Sequence, residues 1–197
     1  MLRTTVLVRR VTNLSDARYF AGMGVELLAF PLSGPGALTP DAIRELAGWV
    51  AGIRLVGEVD ATLDAAQINA LISECGLDYV LLSADAGLEL EELARPVIRV
   101  VTLEELDQLA MWGRVAYAVL TGLTEDHLRD EHLATRLVEA PVPVLLAIPH
   151  PTVAAVKAAL EWLPTLAGLA LEGGQEDRPG IRDFGELGDA LEALERF

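Results

Sequence analysis

Residues 8–30 read VRRVTNLSDARYFAGMGVELLAF. An apolar, β-branched run ends in Arg9-Arg10, a turn follows, and a helix begins almost at once. The helix closes at Gly22-Met23-Gly24, and Val25 opens a second apolar run. This is the text of a strand, a helix and the next strand. A charge beside a buried strand is costly unless it is exposed, paired or put to use. Arg9 and Arg10 therefore pose a question that the rest of the chain has to answer.

The pattern repeats along the sequence. Apolar segments at 5–11, 25–32, 54–59, 79–83, 97–101, 115–120, 142–148 and 168–171 are candidate strands. Between them lie helix signals. Asn13 or Ser15 caps a helix to about Gly22, Thr39-Pro40-Asp41 opens one through Val50, and another is capped near Thr62 and ends at Cys75-Gly76. Only a short acidic helix follows the fourth strand, and Thr102-Leu103-Glu104-Glu105 reads as a capping box for the next one. Thr124 starts an acidic helix to about Val138, Pro151 and Thr152 open another, and the last runs from about Phe184 to Leu194. Eight β/α units in a single domain over 1–197 is the count of a (β/α)8 TIM barrel with shortened units in the middle. An open doubly wound sheet shares the alternation and stands as the alternative.

Composition narrows the function classes. The chain is 52% hydrophobic and 23% charged, as a globular protein is. Mean hydropathy is +0.36, yet each apolar run is broken well before the ~20 residues that span a membrane. High apolarity without spans fits strands buried on both faces. A formal net charge of −15 argues against nucleic acid as a partner. His127, His132 and His150 fit no metal spacing, and no cofactor is implied. The single cysteine, Cys75, excludes an internal disulfide and reads as a packing residue in a reducing, cytoplasmic protein. The opening MLRTTVLVRR has no apolar signal core, so export is not expected. Trp49, Trp112 and Trp162 stand beside apolar neighbours near helix ends and are expected to pack.

Several stretches carry a family resemblance. Val11-Thr12-Asn13-Leu14-Ser15-Asp16-Ala17 is similar to I-T-N-L-E-D-A, and residues 21–30 to A-G-A-D-A-L-G-F. Leu38-Thr39-Pro40-Asp41 resembles V-S-P-E, Leu55-Val56-Gly57 resembles V-V-G, and residues 76–80 resemble G-L-D-x-V. Residues 176–183 resemble E-x-x-P-G-x-K-D. Together, in this order, they resemble phosphoribosylanthranilate isomerase, the barrel enzyme of tryptophan biosynthesis. The resemblance implies an Amadori rearrangement of a phosphorylated aminoaldose, with a cysteine as general base and an aspartate as general acid.

The positions that would carry this chemistry differ. Aligning K-x-C-G-I-T-N with residues 7–13 puts Arg9 where the cysteine stands, and a guanidinium stays protonated. Leu120-Thr121-Gly122 stands where the aspartate is expected, while Asp126 and Asp130 fall on the following helix. Gly36 replaces the anthranilate-contacting arginine, and Leu81-Leu82-Ser83-Ala84 replaces Q-L-H-G. The phosphate-binding A-G-G-L is Ala147-Ile148-Pro149-His150, in which Pro149 has no N–H to give. The last strand ends in Glu172-Gly173-Gly174, where two glycine amides remain to meet an anion.

Active sites of such barrels sit at the C-terminal ends of the strands. Arg9, Arg10, Glu58, Asp60, Ser83, Asp85 and Glu172 all fall there. One reading is a repurposed pocket for a small anionic or phosphorylated molecule. Arg9, Arg10, Ser83, Gly173 and Gly174 would then bind it, with Glu172, Asp60 or His150 as proton-handling groups. The other is an internal ion-pair network filling the old pocket, with Arg9 paired to Glu172 or Glu58. The expected function is accordingly a barrel that has lost the isomerase activity and holds a ligand or associates with a protein, itself included. An active isomerase with a different acid/base pair is the alternative.

Overall fold

The computed structural model describes residues 2–84, 86–173 and 184–195. Strands β1 (Thr5–Arg9), β2 (Leu27–Pro31), β3 (Arg54–Val59), β4 (Tyr79–Leu82), β5 (Val97–Val101), β6 (Val115–Leu120), β7 (Val144–Ile148) and β8 (Gly168–Glu172) are all parallel and follow one another in sequence order. The ring is closed: β1 pairs with β2 through Leu7↔Leu27, and with β8 from Thr5↔Gly168 to Arg9↔Glu172. The chain is a (β/α)8 barrel, and the open sheet is excluded.

Alternation along each strand explains the unbroken apolar text. Leu7, Leu27, Val56, Leu81, Ile98, Val119, Leu145 and Ala170 point into the barrel and pack on one another. Their neighbours Val6, Val8, Leu28, Phe30, Val80, Leu82, Leu169 and Leu171 face outward into the larger layer beneath the helices. Both faces are buried, so neither reads as polar.

Helices α1 (Leu14–Gly22), α2 (Pro40–Ala47), α3 (Ala65–Cys75), α4 (Glu125–Leu128), α5 (Glu131–Glu139), α6 (Val153–Trp162) and α7 (Gly185–Glu192) occupy the outside. Asn13, rather than Ser15, caps α1, accepting from the Asp16 amide at 2.8 Å. Thr62 does not cap α3. Asp64 does, in a reciprocal capping box with Gln67 (2.8 and 2.9 Å). Cys75 is buried as expected, and burial pushes its thiol pKa up.

The middle of the chain departs most from the sequence expectation. The loop after β4 holds one 3₁₀ turn, Leu90–Glu92, and the loop after β5 holds another, Leu106–Met111. Glu105 does accept from the Thr102 amide at 2.8 Å, as a capping box would, but no α-helix follows. The two side chains this segment buries, Leu106 and Leu109, are three apart and eclipse in a 3₁₀ turn. Nor is 124–138 one helix: the chain breaks at Arg129-Asp130, where the Asp130 carboxylate recaps α5 by accepting from the His132 amide at 2.9 Å. Trp49 is 60% exposed instead of packed, since it lies beyond the Gly48 cap of α2, with Arg18 5.7 Å from its ring centre. No helix among the described residues is long and apolar enough to cross a membrane.

Candidate functional site

The C-terminal rim of the barrel is built by strand parity. Leu7, Val56 and Ala170 face inward, so Arg9, Glu58 and Glu172, each two residues further along, do so as well. They form the uppermost layer over the apolar interior. Arg9 donates Nη2–H to Glu58 Oε1, and its Nη1 lies 3.8 Å from Glu172 Oε1. The side chains of Arg9 and Glu58 are 18% and 13% exposed, and Glu172 is 42% exposed at the outer edge. Arg9 Nε and Glu58 Oε2 are buried and have no hydrogen-bond partner among the described residues. The pair is held through one arm of each fork rather than both.

Arg10 has a different task. Its φ of 57° is left-handed, turning the chain out of β1, and its exposed guanidinium donates to the Pro35 carbonyl at 3.3 Å. Of the two arginines that end the first strand, one points in and is paired, and the other braces the β2–α2 loop.

The remaining rim residues occupy separate loops. Gly173 donates its amide to the Arg9 carbonyl at 2.8 Å, so that N–H is committed to the β1–β8 seam. A Cβ at Gly173 would stand 2.9 Å from the same oxygen, so close strand approach accounts for this glycine. Ser83 follows β4, its amide donating to Val59 O at 3.2 Å. Asp60 ties two loops together: its amide donates to Ser33 Oγ at 2.9 Å, and its carboxylate accepts from the Thr62 hydroxyl and from the Thr62 amide at 3.0 Å. The Thr62 hydroxyl is the main cause of a carboxyl pKa below the ordinary 3.8, which makes Asp60 a weak base. His150 is exposed in the turn between β7 and α6, where its carbonyl accepts from the Thr152 amide at 3.0 Å. Gly174 and Asp85 lie outside the described residues.

Sequence reasoning missed Arg99. It points outward from β5, donates to Ala86 O (2.9 Å) and Ala84 O (3.0 Å), and lies 5.0 Å from the centre of the Trp112 ring. It thereby fixes the loop after β4 at the rim. A lone arginine in VIRVV, with parity opposite to the inward residues, was the available signal.

Among the described residues, the mouth therefore carries one guanidinium and two carboxylates in contact. A guanidinium takes no proton, and a net negative cluster opposes a phosphate. Among the described residues, no three His, Cys, Asp or Glu side chains gather as metal ligands.

No protein-family model matches the sequence, and no curated protein matches it. Solved structures do match. Phosphoribosyl anthranilate isomerase from Thermus thermophilus is 21% identical with a TM-score of 0.73, over 96% of this chain and 98% of that one. The isomerase from Thermotoga maritima is 16% identical with a TM-score of 0.76, over 97% and 98%. A phosphoribosyl anthranilate isomerase in complex with reduced 1-(o-carboxyphenylamino)-1-deoxyribulose 5-phosphate is 16% identical with a TM-score of 0.77, again over 97% and 98%. At these identities the likeness is one of fold.

Proposed function

We propose that this chain is a barrel of the phosphoribosylanthranilate isomerase type that has lost the Amadori isomerase chemistry. It serves instead as a ligand-binding or protein-associating barrel. The observation that carries this reading is the fate of Arg9. Its position aligns with the family's cysteine base, and its side chain is engaged by Glu58 and Glu172 at the mouth. A general base has to reach the proton it removes, and a protonated guanidinium cannot act as one.

Three further features support the same reading. Thr121 and its neighbours offer no carboxyl at the end of β6. Pro149 has no N–H and the Gly173 N–H is already used, so two of the donors a phosphate would need are missing. The net negative charge of Arg9, Glu58 and Glu172, among the described residues, opposes a phosphorylated sugar. The fold likeness gives the family's architecture, and fold alone does not carry activity.

The test is calorimetric titration of the purified protein with the reduced deoxyribulose phosphate analogue that one of the structural neighbours holds. The expected result is no saturable heat at millimolar analogue. Saturable binding of one molecule per chain would overturn the argument that the mouth no longer receives the family's phosphorylated ligand, and turnover of phosphoribosylanthranilate would overturn the loss of chemistry.

A further inference from the structure

A cavity lies on the outer flank of the barrel between α4 and α6, reaching up to the turn after β7. Its volume is about 420 Å³, within the range that holds small organic ligands. The walls are apolar: Ala155 and Ala158 of α6 on one side, Leu123 and Leu128 on the other, Ile148 of β7 at the base, and Trp162 at one end. Alanine methyls leave room where larger side chains would close a helix–helix contact.

The groove has a structural cause. In a regular barrel the helix after β6 would lie against the helix after β7. Here that segment is broken at Arg129-Asp130, and α5 is drawn towards the 3₁₀ turn after β5. Arg136 on α5 donates Nε–H to Asp107 at 3.0 Å and Nη2–H to Leu103 O at 2.6 Å. On its other side α6 packs against α7. The flank of α6 facing α4 is left uncovered.

One basic group marks the rim. Arg129 is the basic side chain among the described lining residues, and its guanidinium lies 4.6 Å from the centre of the Trp162 ring. It is 58% exposed, and its contact with Glu125 is a loose 3.5 Å pair whose carboxylate is 78% exposed. Such a pair is weak and gives way readily to a better-placed carboxylate. At the opposite end of α6 from Trp162, the hydroxyl of Thr152 accepts from the Ala155 amide at 3.1 Å as the cap of the helix. In a chain with a net charge of −15, a cation poised over an apolar slot is a local exception.

We propose that this groove is a binding site for a small amphipathic carboxylate. The apolar body lies between α4 and α6 against Trp162, and the carboxylate takes the fork of Arg129 in place of Glu125. Burial of the body supplies affinity, and the charge-assisted hydrogen bonds select the head group. The groove shares the turn at Pro149 with the barrel rim, but none of Arg9, Glu58 and Glu172 lines it, so its test is separate from that of the isomerase chemistry.

The test is isothermal titration of the whole protein with octanoate and, as a neutral counterpart of equal chain length, octan-1-ol. Octanoate is expected to bind at one site per chain, and octan-1-ol at least about tenfold more weakly. Arg129→Gln is expected to bring octanoate down to the octan-1-ol level. Ala158→Phe fills the groove and is expected to abolish both. Thermal unfolding checks that this variant is folded, and Ala155→Leu replaces it if it is not. No saturable octanoate binding, or binding that survives a folded groove-filling variant, overturns the proposal. Equal binding of octanoate and octan-1-ol, or no effect of Arg129→Gln, overturns the carboxylate assignment.

Discussion

Gly168→Ala is expected to destabilise the protein by about 3 kcal/mol or more, the upper end of what overpacking costs. Gly168 opens β8 opposite Thr5, at the seam where the last strand closes on the first. A Cβ there would overlap the Thr5 carbonyl oxygen and stand 2.8 Å from its carbon and 2.9 Å from Leu145 Cδ2. Backbone cannot rotate away as a side chain can, so the two strands must part and the closing ladder weakens. Gly57→Ala is the internal control. Its Cβ would meet Leu32 Cδ1 at 2.5 Å and Leu77 Cδ1 at 2.7 Å, both ends of side chains with other rotamers. For a chain of this length, a loss of 3 kcal/mol lowers the melting temperature by roughly 6–12 °C. A Gly168→Ala protein that melts with the wild type would show that the seam is not this tight.

Glu58→Ala is the second large effect, expected to cost about 3–5 kcal/mol because it leaves a largely buried guanidinium with only a distant partner. Glu172 is 3.8 Å from Arg9 and partly in water, so it does not replace Glu58. Glu172→Ala is expected to stay within about 1 kcal/mol, as exposed pairs do. Removing both buried charges together is another matter. The double variant Arg9→Met, Glu58→Met is expected to be near neutral, since neither ion is then desolvated. Urea unfolding of the four proteins measures all three differences. A Glu58→Ala loss below about 1 kcal/mol would mean that Arg9 finds water or another anion on losing its partner.

How much of this was legible in the sequence depends on what each feature rests on. The barrel was legible because its strands are buried on both faces, and Val, Leu and Ile runs between Gly, Pro and capping residues mark such strands without help from tertiary structure. The shortening of the middle units was legible too, but the type of turn after β5 was not. Whether 102–111 forms an α-helix or a 3₁₀ turn is settled by Leu106 and Leu109 meeting the sheet, a packing outcome that the Thr102–Glu105 cap does not determine.

The site divides in the same way. Strand parity places Arg9 inside once Leu7 is inside. The contact with Glu172 needs barrel closure, which brings β8 beside β1. The contact with Glu58 needs a reach across Pro31 of β2, which no local pattern encodes. Asp60 and Gly173 lie near the rim, as their positions suggest, yet the first ties loops together and the second serves the seam. The groove beside α6 depends on Arg136 drawing α5 aside, a contact between distant segments that only the folded chain reveals.

The most direct measurement is turnover of phosphoribosylanthranilate by the purified protein, with Arg9→Cys assayed beside it. No turnover above background is expected from either. Restoring the thiol leaves the end of β6 without its acid and the turn after β7 with Pro149, which gives no N–H to a phosphate. Turnover by the wild-type protein would contradict the loss of activity, and would mean that another residue at the rim takes the proton.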